Sequence, residues 1–224
     1  KFSFSEIKSS GKKFNNNFEK EKWISLNSDL PSNISDIISE LNSEIWVKNL
    51  VKLTSIKLLK STNLSNTKVG NFHEMSSNAF LAPHVDHSHE PGTGLPHVLN
   101  IIIYLSHDWD QKDGGATLFY DKSGKNIVSK IEYKPNRAVI FLHTPYSFHS
   151  VERIKEKLST TRKSIYVDYY SESYNPYSHF KLKFPNKWFE HNTTFIFNNV
   201  SDYFKWSNRE YLITYLKYQF KKYL

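Results

Sequence analysis

Between residues 32 and 56 the apolar positions are Ile34, Ile37, Ile38, Leu41, Ile45, Val47, Leu50, Val51 and Leu53. Steps of three and four put such side chains on one face of a helix, and Pro31 and Ser32 mark a start. One or two amphipathic helices buttressing a sheet are expected there. Farther along the period changes. Residues 98–105 (Val-Leu-Asn-Ile-Ile-Ile-Tyr-Leu) are a β-branched run of strand length. Further strand candidates are 116–120, 127–133, 138–142, 148–154 and 164–170. Turn signals separate them: Asp113-Gly114-Gly115, Lys122-Ser123-Gly124 and Pro135-Asn136. Many short strands at close spacing argue for an antiparallel barrel or a double-sheet jelly roll. Toward the end, Phe204, Leu212, Tyr215, Leu216, Phe220 and Tyr223 recur at helical spacing with Lys217, Lys221 and Lys222 opposite. That pattern predicts an amphipathic helix packed on the body. The fold class is thus mainly β with flanking helices. It divides into a helical buttress over 1–66, a β core over 67–172 and an aromatic, basic extension with a terminal helix over 173–224.

Composition narrows the chemistry. The 224 residues suit one domain that buries a core without staples. There is no cysteine, so disulfides and thiolate metal sites are ruled out and any metal falls to His, Asp or Glu. No run of eighteen apolar residues occurs, and Lys1 to Ser5 lack the apolar core of a signal peptide. A soluble, cytoplasmic protein that makes no membrane contact is the expectation. The net charge of +8 is spread along the chain rather than clustered. Nucleic acid is therefore not the expected partner, and oligomeric state is not readable.

The candidate chemistry lies in Pro83-His84-Val85-Asp86 and in Phe148-His149-Ser150-Val151. Pro83 favours an extended backbone before it, and in an extended segment the i and i+2 side chains of His84 and Asp86 point the same way. His149, from a different strand, adds a second imidazole. Two histidines and one carboxylate occupy one face of an octahedral metal and leave the opposite positions open, which suits Fe(II) and oxygen chemistry; zinc is an alternative for the same set. His143 is the rival third ligand but lacks the Ser-Val neighbours of His149. Arg162 opens the strand candidate 164–170. Its planar fork binds a carboxylate through two parallel bonds; Lys163 is the alternative anchor, though strand alternation points it the other way. His87 and His89 fall on the loop that follows the His-x-Asp pair and, with Trp109, are candidates for substrate contact. His97, His107, His179 and His191 read as structural or surface residues.

Together these segments resemble the Fe(II)- and 2-oxoglutarate-dependent dioxygenases, within them the prolyl 4-hydroxylase-like branch. The resemblance is carried by Pro83-His84-Val85-Asp86, Tyr104-Leu105-Ser106-His107-Asp108-Trp109-Asp110, Gly114-Gly115-Ala116-Thr117-Leu118-Phe119, Phe141, His149-Ser150-Val151 and Arg162, over about 68–172. It implies a double-stranded β-helix, with His84, Asp86 and His149 binding iron. Arg162 would hold the distal carboxylate of 2-oxoglutarate, and Tyr104 would donate its hydroxyl to the same group. The implied reaction hydroxylates an unactivated C–H, of a prolyl residue or a small molecule, while 2-oxoglutarate and O2 become succinate and CO2. Ascorbate is a further candidate reductant, and a peptide or small molecule is the expected substrate. A nucleic-acid demethylase-type oxygenase and a non-catalytic ligand-binding jelly roll are the alternatives. The sequence departs from the family in the longer gap between His149 and Arg162 and in Asp168, where several relatives carry Trp. These departures bear on the substrate more than on the chemistry.

Overall fold

The structure is a computed structural model and describes residues 11–57, 59–61, 70–176, 193–196, 199–205 and 208–223. The apolar stripe of the N-terminal region forms two helices, α1 (Ser32–Leu41) and α2 (Glu44–Thr54). The break falls at Asn42-Ser43. There Ser43 Oγ accepts the Trp46 amide at 3.2 Å and caps α2. Ser55, in the left-handed conformation, ends it.

Among the described residues eleven strands make one sheet: β1 (Lys12–Phe14), β2 (Glu19–Ser25), β3 (Leu59–Ser61), β4 (Phe72–Val85), β5 (His97–Tyr104), β6 (Thr117–Tyr120), β7 (Ile127–Ile131), β8 (Ala138–Leu142), β9 (His149–Val151), β10 (Arg162–Ser171) and β11 (Thr194–Phe195). Their main path runs β7-β6-β9-β4-β10-β5-β8. The 14-residue β4 is the pivot. Its first residues pair with β10 and its last with β9, and Asn78, at φ 61, turns the corner between them. Arg153 Nη1 donates to Asn78 Oδ1 at 2.7 Å and holds that corner. The sheet thereby folds into two facing halves, β4-β10-β5-β8 and β7-β6-β9-β4, the double-stranded β-helix.

β5 and β10 are buried on both faces, which explains their lack of polar alternation. Leu99, Ile101, Ile165, Val167 and Tyr169 point outward and pack with Ile34, Ile38, Leu41 and Leu50 of the helices. Tyr169 ties the layers by donating to the Leu41 carbonyl at 2.5 Å and accepting from Trp46 Nε1 at 3.0 Å. Inward, Ile102 and Tyr104 meet Met75, Tyr133, Val139 and Ile154 between the two halves. The inward row of β10 (Arg162, Ser164, Tyr166 and Asp168) reaches a cavity instead.

β2 and β11 extend the sheet along β4. The C-terminal segment forms α3 (Val200–Tyr203) and α4 (Arg209–Tyr223). α4 packs through only part of the stripe the apolar spacing predicts: Tyr215 lies against the body, joined by two tyrosines from outside that stripe. Tyr218 is buried against Phe148 and its hydroxyl donates to the Pro145 carbonyl, while Tyr211 stacks near Phe18 and Phe195. Leu216 and Phe220 stay exposed, at 55% and 64%. Tyrosine wins these positions because a ring fills the apolar seam and its hydroxyl still finds a partner. No helix among the described residues is long and apolar enough to cross a membrane. His179 and His191 lie outside the described residues.

Candidate metal and cosubstrate site

His84 is the next-to-last residue of β4 and His149 opens β9, directly opposite each other in the antiparallel register. Val85 points away into the Phe148–Tyr218 cluster, so Asp86 returns to the side of His84. One ligand atom from each of His84, Asp86 and His149 lies within 4.8 Å of the other two, and all three residues are buried. His84 Nε2 is 3.5 Å from Asp86 Oδ1, and His149 Nε2 is 3.4 Å from Asp86 Oδ2. His84 Nδ1 lies 2.8 Å from the Ala82 carbonyl and His149 Nδ1 3.0 Å from the Ser147 carbonyl. A carbonyl accepts only, so each Nδ1 carries a proton and each Nε2 is the atom turned to the centre. This donor set fits a divalent metal with open positions. His143 sits elsewhere, stacked on His97 at 4.2 Å.

Asp86 is held by its surroundings. Its Oδ2 accepts from Tyr166 Oη at 2.6 Å and from Asn100 Nδ2 at 3.2 Å. Burial raises the Asp86 pKa, but His149 and His84 outweigh it and keep the carboxyl well below its usual range. Burial, reinforced by His84, pushes His149 down to about 4, so the imidazole is neutral and available. Behind Asn100 stands Asp168, 3.1 Å from its Nδ2. His97 lies 3.3 Å from Asp168; that carboxylate overcomes the effect of burial and raises the His97 pKa. None of Tyr166, Asn100 or Asp168 was assigned a role from sequence. The two on β10 nonetheless carry a readable signal, since both fall on the period-two row that starts at Arg162.

A cavity of about 550 Å³ joins the triad to Arg162. Arg162 is 2% exposed, donates from Nε to the Gly115 carbonyl at 2.8 Å and from Nη1 to Ser164 Oγ at 3.3 Å, and lies over the rings of Tyr104 and Tyr133. Among the described residues no carboxylate lies within ion-pair distance of this buried guanidinium. An anion with a carboxylate end fits the cavity there. Tyr104 Oη and Thr117 Oγ1 are 2.6 Å apart beside it. Lys163 does not line the cavity.

Gly114 and Gly115, at φ 80 and 78, serve this end. A Cβ on Gly114 would stand 2.3 Å from the Arg153 carbonyl oxygen. One on Gly115 would stand 3.0 Å from Trp109 and 3.1 Å from Arg162. Trp109 itself packs on Tyr133 and donates to the Gly114 carbonyl at 3.0 Å, behind Arg162 rather than in the cavity. His87 lines the cavity and bonds Tyr170 Oη at 2.9 Å, whereas His89 bonds Ser88 outside it.

The sequence model of the 2OG-Fe(II) oxygenase superfamily matches residues 70–169. Among solved structures, a prolyl-4-hydroxylase from Pseudomonas putida is similar at 14% identity and a TM-score of 0.49, over 73% of this chain and 78% of that one. A prolyl hydroxylase from Trichoplax adhaerens, solved with a hypoxia inducible factor peptide, is 18% identical with a TM-score of 0.44, over 70% and 66%. HygX from Streptomyces hygroscopicus, solved with nickel, 2-oxoglutarate and hygromycin B, is 10% identical with a TM-score of 0.47, over 78% and 82%. Comparison with curated protein sequences gives no match.

Proposed function

We propose that this chain, whose residues 70–169 match the sequence model of the 2OG-Fe(II) oxygenase superfamily, hydroxylates an unactivated C–H of a small molecule or a prolyl residue with 2-oxoglutarate as cosubstrate. The observation that carries the reading is the pairing of two sites in one cavity: a His84–Asp86–His149 donor set and, deeper, a buried Arg162 that no carboxylate of the described residues neutralises. When bound, Fe(II) and 2-oxoglutarate supply the oxidative chemistry, in which O2 is consumed and succinate and CO2 are released.

The chain's own residues do the rest. His84 and His149 turn their Nε2 atoms to the centre because their Nδ1 protons are committed to backbone carbonyls. Tyr166 and Asn100 hold the Asp86 carboxylate in one orientation. The fixed fork of Arg162 would receive the distal carboxylate of the cosubstrate, with one proton of the hydrogen-bonded Tyr104–Thr117 hydroxyl pair as a further donor beside it. Met75, Leu81, Ile102 and Val151 line the same cavity and keep water from the reacting centre. Calorimetric titration of 2-oxoglutarate into protein loaded with Mn(II) tests the assignment. One equivalent is expected to bind, with affinity lost on removing the metal and weakened about a hundredfold in Arg162→Ala. Binding that ignores both would overturn it.

A further inference from the structure

β2 is a regular strand except at one point. Between Lys20 and Lys22 its register against β4 slips, and Glu21 takes the left-handed conformation at φ 48. In an unbroken strand Glu19 and Lys22 would face opposite sides. The bulge turns both to the same side, into the cavity that also holds His84, Asp86 and His149. There Lys22 Nζ lies 2.8 Å from Glu19 Oε1, and each residue is 8% exposed.

Ions so poorly hydrated are costly unless their remaining bonding capacity is used. Lys22 gives one of its three N–H bonds to Glu19 and otherwise rests over the Phe14 ring, 5.3 Å from its centroid. Glu19 Oε2 accepts no hydrogen bond from the described residues. The pair also stands close to the reacting centre. Burial and then the Lys22 charge hold His73 down at about 3, and His73 stacks on Tyr166, the donor to Asp86, at 5.5 Å. Phe14, Ile24, Leu81, Phe195 and Tyr211 of α4 line the same cavity.

We infer that the Glu19–Lys22 pair recognises the substrate of the proposed oxygenase, and that this substrate is a free α-amino acid or a close zwitterionic analogue, its ammonium on Glu19 and its carboxylate on Lys22. The inference rests on the oxygenase reading of the site. In an α-amino acid the nitrogen and the nearer carboxylate oxygen stand about 2.7 Å apart by standard bond lengths, which matches the 2.8 Å of the pair. A neutral zwitterion on a neutral ion pair satisfies all four charged groups without burying net charge. An internal residue of a peptide offers an amide N–H and C=O instead and leaves both ions under-bonded, the situation in which a polar site discriminates most strongly. A cavity of about 550 Å³ accommodates the cosubstrate and such a molecule together.

Protein loaded with Zn(II), which has no redox chemistry, and saturated with 2-oxoglutarate is titrated with an equimolar pool of the twenty free L-α-amino acids. A second titration uses the same pool N-acetylated and C-amidated, and both are read by ligand-observed NMR. At least one free amino acid is expected to bind and no capped one. Glu19→Gln and the double variant Glu19→Gln, Lys22→Met are expected to weaken that binding about a hundredfold. The double variant removes both charges, a change that buried ion pairs tolerate without loss of stability, so thermal unfolding separates lost recognition from lost fold. Equal binding of the capped pool, or retained binding in the folded double variant, overturns the inference. If neither pool binds while the Fe(II) protein still forms succinate from 2-oxoglutarate, the substrate class is wrong and the oxygenase reading stands. If 2-oxoglutarate neither binds nor is consumed, both fall.

Discussion

Replacing Tyr166 by Phe removes one oxygen from the inside of the site, and with it the bond to Asp86 and the one accepted from Asn100 Nδ2. Its hydroxyl donates to Asp86 Oδ2 at 2.6 Å, leaving Asn100 at 3.2 Å as the remaining donor to that oxygen. The ring, which stacks on His73, is kept. A hydrogen bond to a charged group contributes about 1.5–3 kcal/mol, and at about 1.4 kcal/mol per tenfold that corresponds to roughly 10- to 150-fold in a metal dissociation constant. Partners that orient metal ligands have an effect of about 10- to 100-fold when removed, so the two routes agree. The assay is anaerobic competition for Fe(II) against a chromophoric chelator, with unfolding of the metal-free protein as the control for fold. Affinity for the metal is expected to fall by about 10- to 100-fold. The 2-oxoglutarate affinity of the loaded protein should be unchanged, because Tyr166 is not among the partners of Arg162. An unchanged metal dissociation constant in a folded variant would refute the reasoning and leave Asn100 as the group that fixes the carboxylate.

Other outcomes follow from the same contacts. Arg162→Ala should raise the requirement for 2-oxoglutarate far more than that for iron, while Lys163→Ala should leave both unchanged; the concentration dependence of succinate formation measures this. Gly115→Ala should destabilise the protein by about 1–3 kcal/mol, because the residue holds φ 78 and its Cβ would press on Trp109 and Arg162. It should weaken 2-oxoglutarate binding as well, and thermal melts with titration check both effects. In the metal-free protein His149 is neutral down to about pH 4, whereas the unfolded chain protonates it near 6.5. Its folded pKa being the lower, the unfolded state binds more protons across that window, so stability falls as pH drops from about 6.5 to 4. The loss from this residue reaches about 3 kcal/mol. Denaturant unfolding of metal-free wild type and His149→Gln across the window shows whether the slope belongs to that residue. Leu50→Ala, at 2% exposure between α2 and the sheet, should cost about 2–5 kcal/mol without affecting metal affinity.

The strands that were legible are those buried by repetition. The Val98-Leu99-Asn100-Ile101-Ile102-Ile103 run announces β5 because both its faces are covered, and the His84–Asp86 spacing announces two ligands on one side of an extended segment. β4 as a whole was not legible. Its two ends serve different halves of the core around the corner at Asn78, so its burial follows no single period. The bulge of β2 was hidden for a similar reason, since Glu19 and Lys22 share a side only through the irregularity at Glu21. Arg162 stood out as a lone cation, yet counting in twos from it reaches Ser164, Tyr166 and Asp168, the row that supports Asp86. On α4 the apolar spacing favoured Leu216 and Phe220. The structure keeps Tyr215 of that stripe and adds Tyr211 and Tyr218, whose hydroxyls satisfy polar atoms in the seam, a choice that depends on what the helix meets rather than on its own pattern.

The central claim is tested most directly by succinate formation from 2-oxoglutarate. Wild type and His149→Ala are reconstituted anaerobically with Fe(II), then exposed to O2 and ascorbate without added substrate. Slow succinate production by the wild type, absent in the variant and absent without iron, is the result the account expects. Succinate formed equally by His149→Ala, or formed without iron, would contradict the assignment of His84, Asp86 and His149 as the metal site.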